Sequence, residues 1–174
     1  MPKSVRLIAV SIVLIGLLAF AWPWLGPAVY AARLNAMDAP AHLPIPVAGL
    51  TRRALTDTWQ ASRAPNRRHE GIDIFAKKGT AVLSSTEGVV VRTGQNPLGG
   101  NVVWVLGPAG HYHYYAHLDQ FAGLQIGARV SVGTVLGTVG NTGNARTTPP
   151  HLHYGVYADQ GAINPYPLLT AVPR

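Results

Sequence analysis

Six of the seven histidines stand in three short clusters. The first is His69-Glu70-Gly71-Ile72-Asp73. The second runs from His111 through His113 to Tyr115-Ala116-His117-Leu118, and the third is His151-Leu152-His153. Imidazole nitrogen and carboxylate oxygen are donors that zinc accepts, and a catalytic zinc site keeps one position open for water. Two neutral imidazoles and one carboxylate leave such a site a residual positive charge. That charge lowers the pKa of water towards ~7 and polarises a carbonyl. The chain has no cysteine, which excludes thiolate sites, disulfides and a cysteine nucleophile. The scarcity of other carboxylates argues against calcium.

These donors need elements that aim them. In a strand, residues two apart point to one face, so His151 and His153 share a site while Leu152 packs behind them. Both then bind a metal, or one binds while its neighbour handles protons. His69 and Asp73 would share a face on a helix, but Ile72, Ile74 and Phe75 favour an extended chain. Four extended residues span ~13 Å, too far for one ion, so Gly71 is the expected bend. This is not the helical two-histidine zinc motif, because Asp73 stands where that motif has its second histidine. In the middle cluster a regular strand puts His111, His113, Tyr115 and His117 on one face and Tyr112, Tyr114 and Ala116 on the other. His117 is then a candidate general base or hydrogen-bond donor beside the metal.

The rest of the chain supplies short strands and turns. Only 12% of residues are charged, about half the ~25% of a typical domain. There are 19 glycines and 14 prolines, which argues against coiled coils and long-helix bundles. Candidate strands are 81–84, 88–92, 101–106, 111–117, 135–139 and 152–157, with a weak helix over 53–60. The expectation is a mainly β, antiparallel domain, a sandwich or sheet pair, over residues 49–174. The net charge of +7, with a basic surface that includes Arg52, Arg53, Arg63, Arg67, Arg68, Lys77 and Lys78, suits an anionic partner, with plain solubility as the alternative. No basic helix or aromatic RNA-binding motif accompanies it, so nucleic acid is not expected.

Leu7 to Leu25 is a nearly continuous apolar run preceded by Lys3 and Arg6. It has the length of a membrane-crossing helix, and its positive flank predicts export of the rest. Residues 1–25 are thus read as a membrane anchor, with a cleaved signal segment as the alternative. Pro23 is expected to end that helix. Residues 26–48 read as a proline-rich linker, with Pro27, Pro40, Pro44 and Pro46 breaking any helix.

The three clusters resemble the zinc peptidases of the M23, lysostaphin or LytM type, whose pattern is HxxxD, YxHL and HxH. Here these stand as His69 to Asp73, Tyr115-Ala116-His117-Leu118 and His151-Leu152-His153. Gly71-Ile72-Asp73-Ile74 with Gly79-Thr80-Ala81-Val82, and Val139-Gly140-Asn141-Thr142-Gly143, also match, so the resemblance covers about residues 50–165. It implies one zinc ion per chain held by His69, Asp73 and His153, with His117 and His151 as catalytic histidines. It implies a compact β domain with a groove, cutting peptide cross-links of bacterial peptidoglycan. The alternative is a non-catalytic wall-binding or amidase-activator module, which the complete ligand set argues against. Arg67 and Arg68 adjoin His69 and are candidates to meet substrate carboxylates. Tyr115 is a candidate substrate-binding residue, with a structural role as its alternative. One departure is Thr147-Thr148-Pro149-Pro150, where the family has a small glycine-containing turn. An anchored, exported domain belongs in the periplasm or another extracytoplasmic space, and a diaminopimelate-type cross-link suits that place.

Overall fold

The computed structural model describes residues 2–64 and 67–172. Among these, the strands are β1 (Ser62–Ala64), β2 (Arg67–Arg68), β3 (Ile72–Phe75), β4 (Ala81–Leu83), β5 (Gly88–Asn96) and β6 (Gly100–Leu106). They continue as β7 (Tyr112–Phe121), β8 (Arg129–Val130), β9 (Val135–Val139), β10 (His151–Ala158) and β11 (Gly161–Ile163). Helix α1 spans Lys3–Asn35 and the short α2 spans Pro165–Thr170. The mainly β, antiparallel expectation holds. The sandwich of separate sheets resolves instead into one nine-stranded sheet, with the path β11-β10-β7-β6-β5-β8 and with β3 on β10, β9 on β7 and β4 on β9, beside a two-stranded β1-β2 ribbon.

The long strands fold that sheet by changing partners. One edge of β7 pairs with β10 as far as Ala116 and then with β9 from Leu118. One edge of β10 pairs with β3 over His151 to Tyr154 and then with β11 from Val156. Alternation does the rest. Ile72, Ile74, Val103, Val105, Leu152 and Tyr154 are buried in one apolar cluster, so the intervening Asp73, His151 and His153 lie on the other face.

Three expectations for local structure need correction. The helix over 53–60 is only a single tight turn at Arg52–Ala54. Beyond it Leu55 is drawn into the core, and Thr58 is bonded to His69 and Asp73. Pro23 does not end the first helix; α1 bends by 71° between Arg6–Ala21 and Leu25–Asn35. Pro27 falls in the first turn of the second half, where a missing N–H leaves no gap in the hydrogen bonding.

Nor is 26–48 a free tether. Leu34 is fully buried against Val89 and Leu106, and Leu43 and Val47 join the main core. The Leu43 N–H donates to Leu168 O at 2.8 Å and Ala48 N–H to Ala81 O at 3.0 Å. The prolines of this segment permit an extended strap, and its apolar residues give the strap something to bury. Among the described residues, no single helix is long and apolar enough to cross a membrane. The two halves of α1 meet that test together, by length and composition.

Candidate metal centre

The antiparallel register sets His153 directly opposite Asp73. His69 reaches them from the turn before β3, and Gly71 makes the approach possible. A Cβ on Gly71 would stand 2.5 Å from Tyr154 O and 2.9 Å from His153 Cε1. The glycine is therefore required by close packing, in addition to the expected bend. The result is a tight trio: His69 Nε2 is 2.8 Å from His153 Nδ1 and 3.1 Å from Asp73 Oδ1. His153 Nδ1 is 3.3 Å from Asp73 Oδ1.

The groups around the trio orient it. His69 Nδ1 donates to Thr58 O at 2.7 Å, which leaves Nε2 a bare lone pair. The Asp73 N–H donates to Thr58 Oγ1 at 2.9 Å. Arg63 donates to Asp73 Oδ2, so Oδ1 is the oxygen turned to the imidazoles. Arg63 Nη2 also lies 2.8 Å from His69 Nδ1. That nitrogen carries the proton given to Thr58, so two donors meet there and the attraction of Arg63 is to Asp73.

Burial by itself raises the Asp73 pKa. The adjoining His153 and His69 imidazoles outweigh it and hold the carboxyl well below the usual carboxylate range. Burial pushes His153 down, towards the neutral form a metal ligand needs. The set fits a divalent cation. Donors around a tetrahedral zinc stand ~3.3 Å apart, because each bond is ~2.0–2.2 Å, and the observed separations fall at or just under that.

Two further histidines face this trio. His151 Nδ1 donates to Pro149 O at 2.8 Å and His117 Nδ1 to Thr142 O at 2.9 Å, so each ring keeps Nε2 uncommitted. Their ring centres are 5.0 Å apart, and His151 Nε2 is 3.8 Å from Asp73 Oδ1. The unusual Thr147 to Pro150 turn thus supplies the carbonyl that orients His151. His117 is lowered to about 4 by burial and then by neighbouring His153 and His151. It is neutral near pH 7 and able to accept a proton.

His117 reaches the site through an irregularity. Its φ is +63°, and the β6–β7 register shifts beside it. This is a β-bulge, which reverses the alternation at one residue. His117 therefore joins the face of Tyr114 and Ala116 and leaves that of Tyr115. Tyr115 is accordingly corrected: it is fully buried and its hydroxyl meets Ser85 N and Oγ at 3.0 Å each. His113 is also fully buried and bonds Tyr154 Oη at 2.7 Å.

The centre lies in a cleft of about 760 Å³. Arg63, Arg67 and Arg68 line it near His69, and Trp104, Tyr114 and Tyr157 line another part. The sequence reading missed Thr58, Thr142 and the aromatic group, and placed Arg63 only on the basic surface. No spacing signals Thr58, and the aromatic group comes together from β6, β7 and β10.

Residues 67–165 match peptidase family M23. The chain belongs to that family. It is 41% identical over 143 residues to the L-Ala–D-Glu endopeptidase of Bacillus subtilis, covering 75% of this chain and 43% of that one. It is 36% identical over 110 residues to the peptidoglycan DD-endopeptidase ShyA of Vibrio cholerae, covering 61% and 25%. The chain thus spans less than half the length of these relatives. Among solved structures, a putative glycyl-glycine endopeptidase lytM from Ruminococcus gnavus superposes with a TM-score of 0.62 at 33% identity, covering 82% of this chain and 63% of that one. The lysostaphin catalytic domain of Staphylococcus simulans gives 0.56 at 27% identity, covering 81% and 98%.

Proposed function

We propose that this M23 chain is a zinc-dependent endopeptidase that hydrolyses peptide cross-links of bacterial peptidoglycan. The observation that carries the reading is the meeting of two imidazoles and one carboxylate beside two carbonyl-anchored histidines, from segments far apart in sequence. When bound, the ion supplies Lewis-acid polarisation of the scissile carbonyl and an acidified water. His69, Asp73 and His153 would hold it. His117 and His151 share the proton work: one takes the proton released on attack and later passes one to the leaving amine. The other donates towards the oxygen on which charge develops. Arg63, Arg67 and Arg68 attract the carboxylates of an acidic stem peptide, and the aromatic group offers flat apolar contact.

The apolar run at 7–25 and its basic flank support a cytoplasmic-membrane anchor with the peptidase outside it, facing the wall. A diaminopimelate-type cross-link is the proposed substrate, since it offers the carboxylate that the arginines would meet.

Purified full-length chain incubated with peptidoglycan should release new amino groups. A chelator should stop the release and added zinc restore it. Amine release that survives complete metal removal would sink the metallopeptidase reading. Release that never occurs with zinc bound would make this a binding module. Mass spectrometry of the fragments identifies the bond.

A further inference from the structure

We propose that the turns on either side of β8 form a second membrane contact, dipping into the headgroup region of the bilayer that anchors α1. This rests on the anchor reading of residues 7–25. Two tight turns flank this edge strand, closed by Ala128 N–H to Gln125 O and by Thr134 N–H to Ser131 O, each at 3.0 Å. Gly127 and Gly133 take the left-handed position in them, with φ of +88° and +84°. The residue before each glycine, at the tip of the turn, is apolar and exposed: Ile126 at 64% and Val132 at 57%. Turn tips in water are the usual place of Asn, Asp, Ser and Pro. Two adjacent tips that present β-branched aliphatic side chains instead suit a partly apolar surrounding.

The location of these tips is the second observation. Between them, Arg129 donates to Gly26 O at 3.3 Å and lays its guanidinium 4.3 Å from the centre of the Tyr30 ring. Gly26 follows the bend at which α1 turns into its exposed apolar half, where Phe20 is 80% exposed. Ile126 and Val132 each lie three residues from Arg129, within ~10 Å along the chain. They therefore stand beside the point where the anchor leaves the domain. The charge pattern agrees. Between Asp119 and Arg146 the sequence has one charged residue, Arg129. The stretch carries no carboxylate of its own to repel anionic lipid, the neighbouring Glu87 carboxylate accepts from the Tyr30 hydroxyl at 3.2 Å, and apolar groups beside the stretch settle at the interface.

The absence of cysteine from the chain allows a direct test. Single-cysteine variants Ile126→Cys and Val132→Cys of the full chain would carry an environment-sensitive fluorophore in vesicles of phosphatidylethanolamine and phosphatidylglycerol. Val13→Cys reports the anchor. Gln160→Cys, at the opposite edge of the sheet, reports water. Labels at 126 and 132 should shift to the blue and be quenched by lipid brominated near the headgroup, with the label at 160 unchanged. Water-like emission at 126 and 132 with quenching at 13 would overturn the contact and leave the anchor standing. No quenching at 13 would overturn the anchor and the contact with it. A blue shift without lipid quenching would mean burial against a second copy and would overturn the bilayer assignment.

Discussion

Asp73 divides its two oxygens between two tasks. Oδ2 accepts from Arg63 and Oδ1 faces the imidazoles. His153→Ala should therefore lose stoichiometric zinc, read by elemental analysis. His117→Ala should keep the metal and lose about 10²–10⁴ in rate, because it removes a proton-transfer or oxyanion group and no ligand. A variant of His117 without zinc would contradict that division. His113 carries a different expectation. Burial, then His111, lowers it to about 3, and its Nε2 has no partner among the described residues. The folded state refuses the proton that the unfolded chain accepts from about pH 6.5. The proton linkage thus costs nothing above that pH, and stability falls as pH drops from about 6.5 to about 3. At ~1.4 kcal/mol per unit, the loss near pH 4.5 is on the order of 3 kcal/mol. Denaturant melts at neutral and acid pH should show a shallower fall for His113→Gln. An equal fall in both proteins would contradict it.

At the scale of elements, two features build the centre: the β3–β10 register and the bulge in β7. Gly71→Ala tests the first. Its Cβ would meet Tyr154 O and His153 Cε1, so β3 must shift away from β10. Overpacking of this kind costs about 1–3 kcal/mol, and zinc affinity should fall with the melting temperature. Unchanged zinc affinity would mean that the register does not set the trio. The bulge shows where legibility ended. Period-two reasoning correctly paired His151 with His153, because β10 is regular there. It wrongly joined His117 to the face of Tyr115, because the bulge at His117 reverses the parity from that residue on. Such a bulge depends on β7 leaving β10 for β9, a fact about neighbours that the residues of β7 do not carry. Likewise 53–60 has helix-compatible residues, yet Thr58 lies outside any helix, bonded to His69 and Asp73.

At the scale of the molecule, α1 is part of the domain. Val102, Trp104 and Leu106 alternate out of the core on β6. Trp104 lines the cleft, and Leu106 packs on Leu34. The second half of α1 and the cleft therefore share one face of the sheet, one residue pair apart along the strand. In the anchored reading this sets the cleft close to the membrane with little freedom to swing. Leu34→Asp should undock that half. Amide exchange over Tyr30–Asn35 should accelerate while zinc content stays unchanged; exchange as slow as in the parent chain would argue against the docking. The strap that follows is rich in proline, which breaks a helix but fits an extended chain. Leu43 and Val47 were the apolar signal that it had somewhere to pack.

Residue chemistry and local periodicity determined the pool of candidate donors and the strand-rich fold class, and the motifs carried the family likeness and the ligand set it implies. Those depend on which atoms a side chain owns and on an alternation that every strand shares. Tertiary structure alone decided which aromatic residues line the cleft, which carbonyls orient the imidazoles, and that residues 26–48 are strapped to the sheet. These outcomes depend on partners distant in sequence, and a single reversed residue or a buried leucine changes them without altering any local pattern.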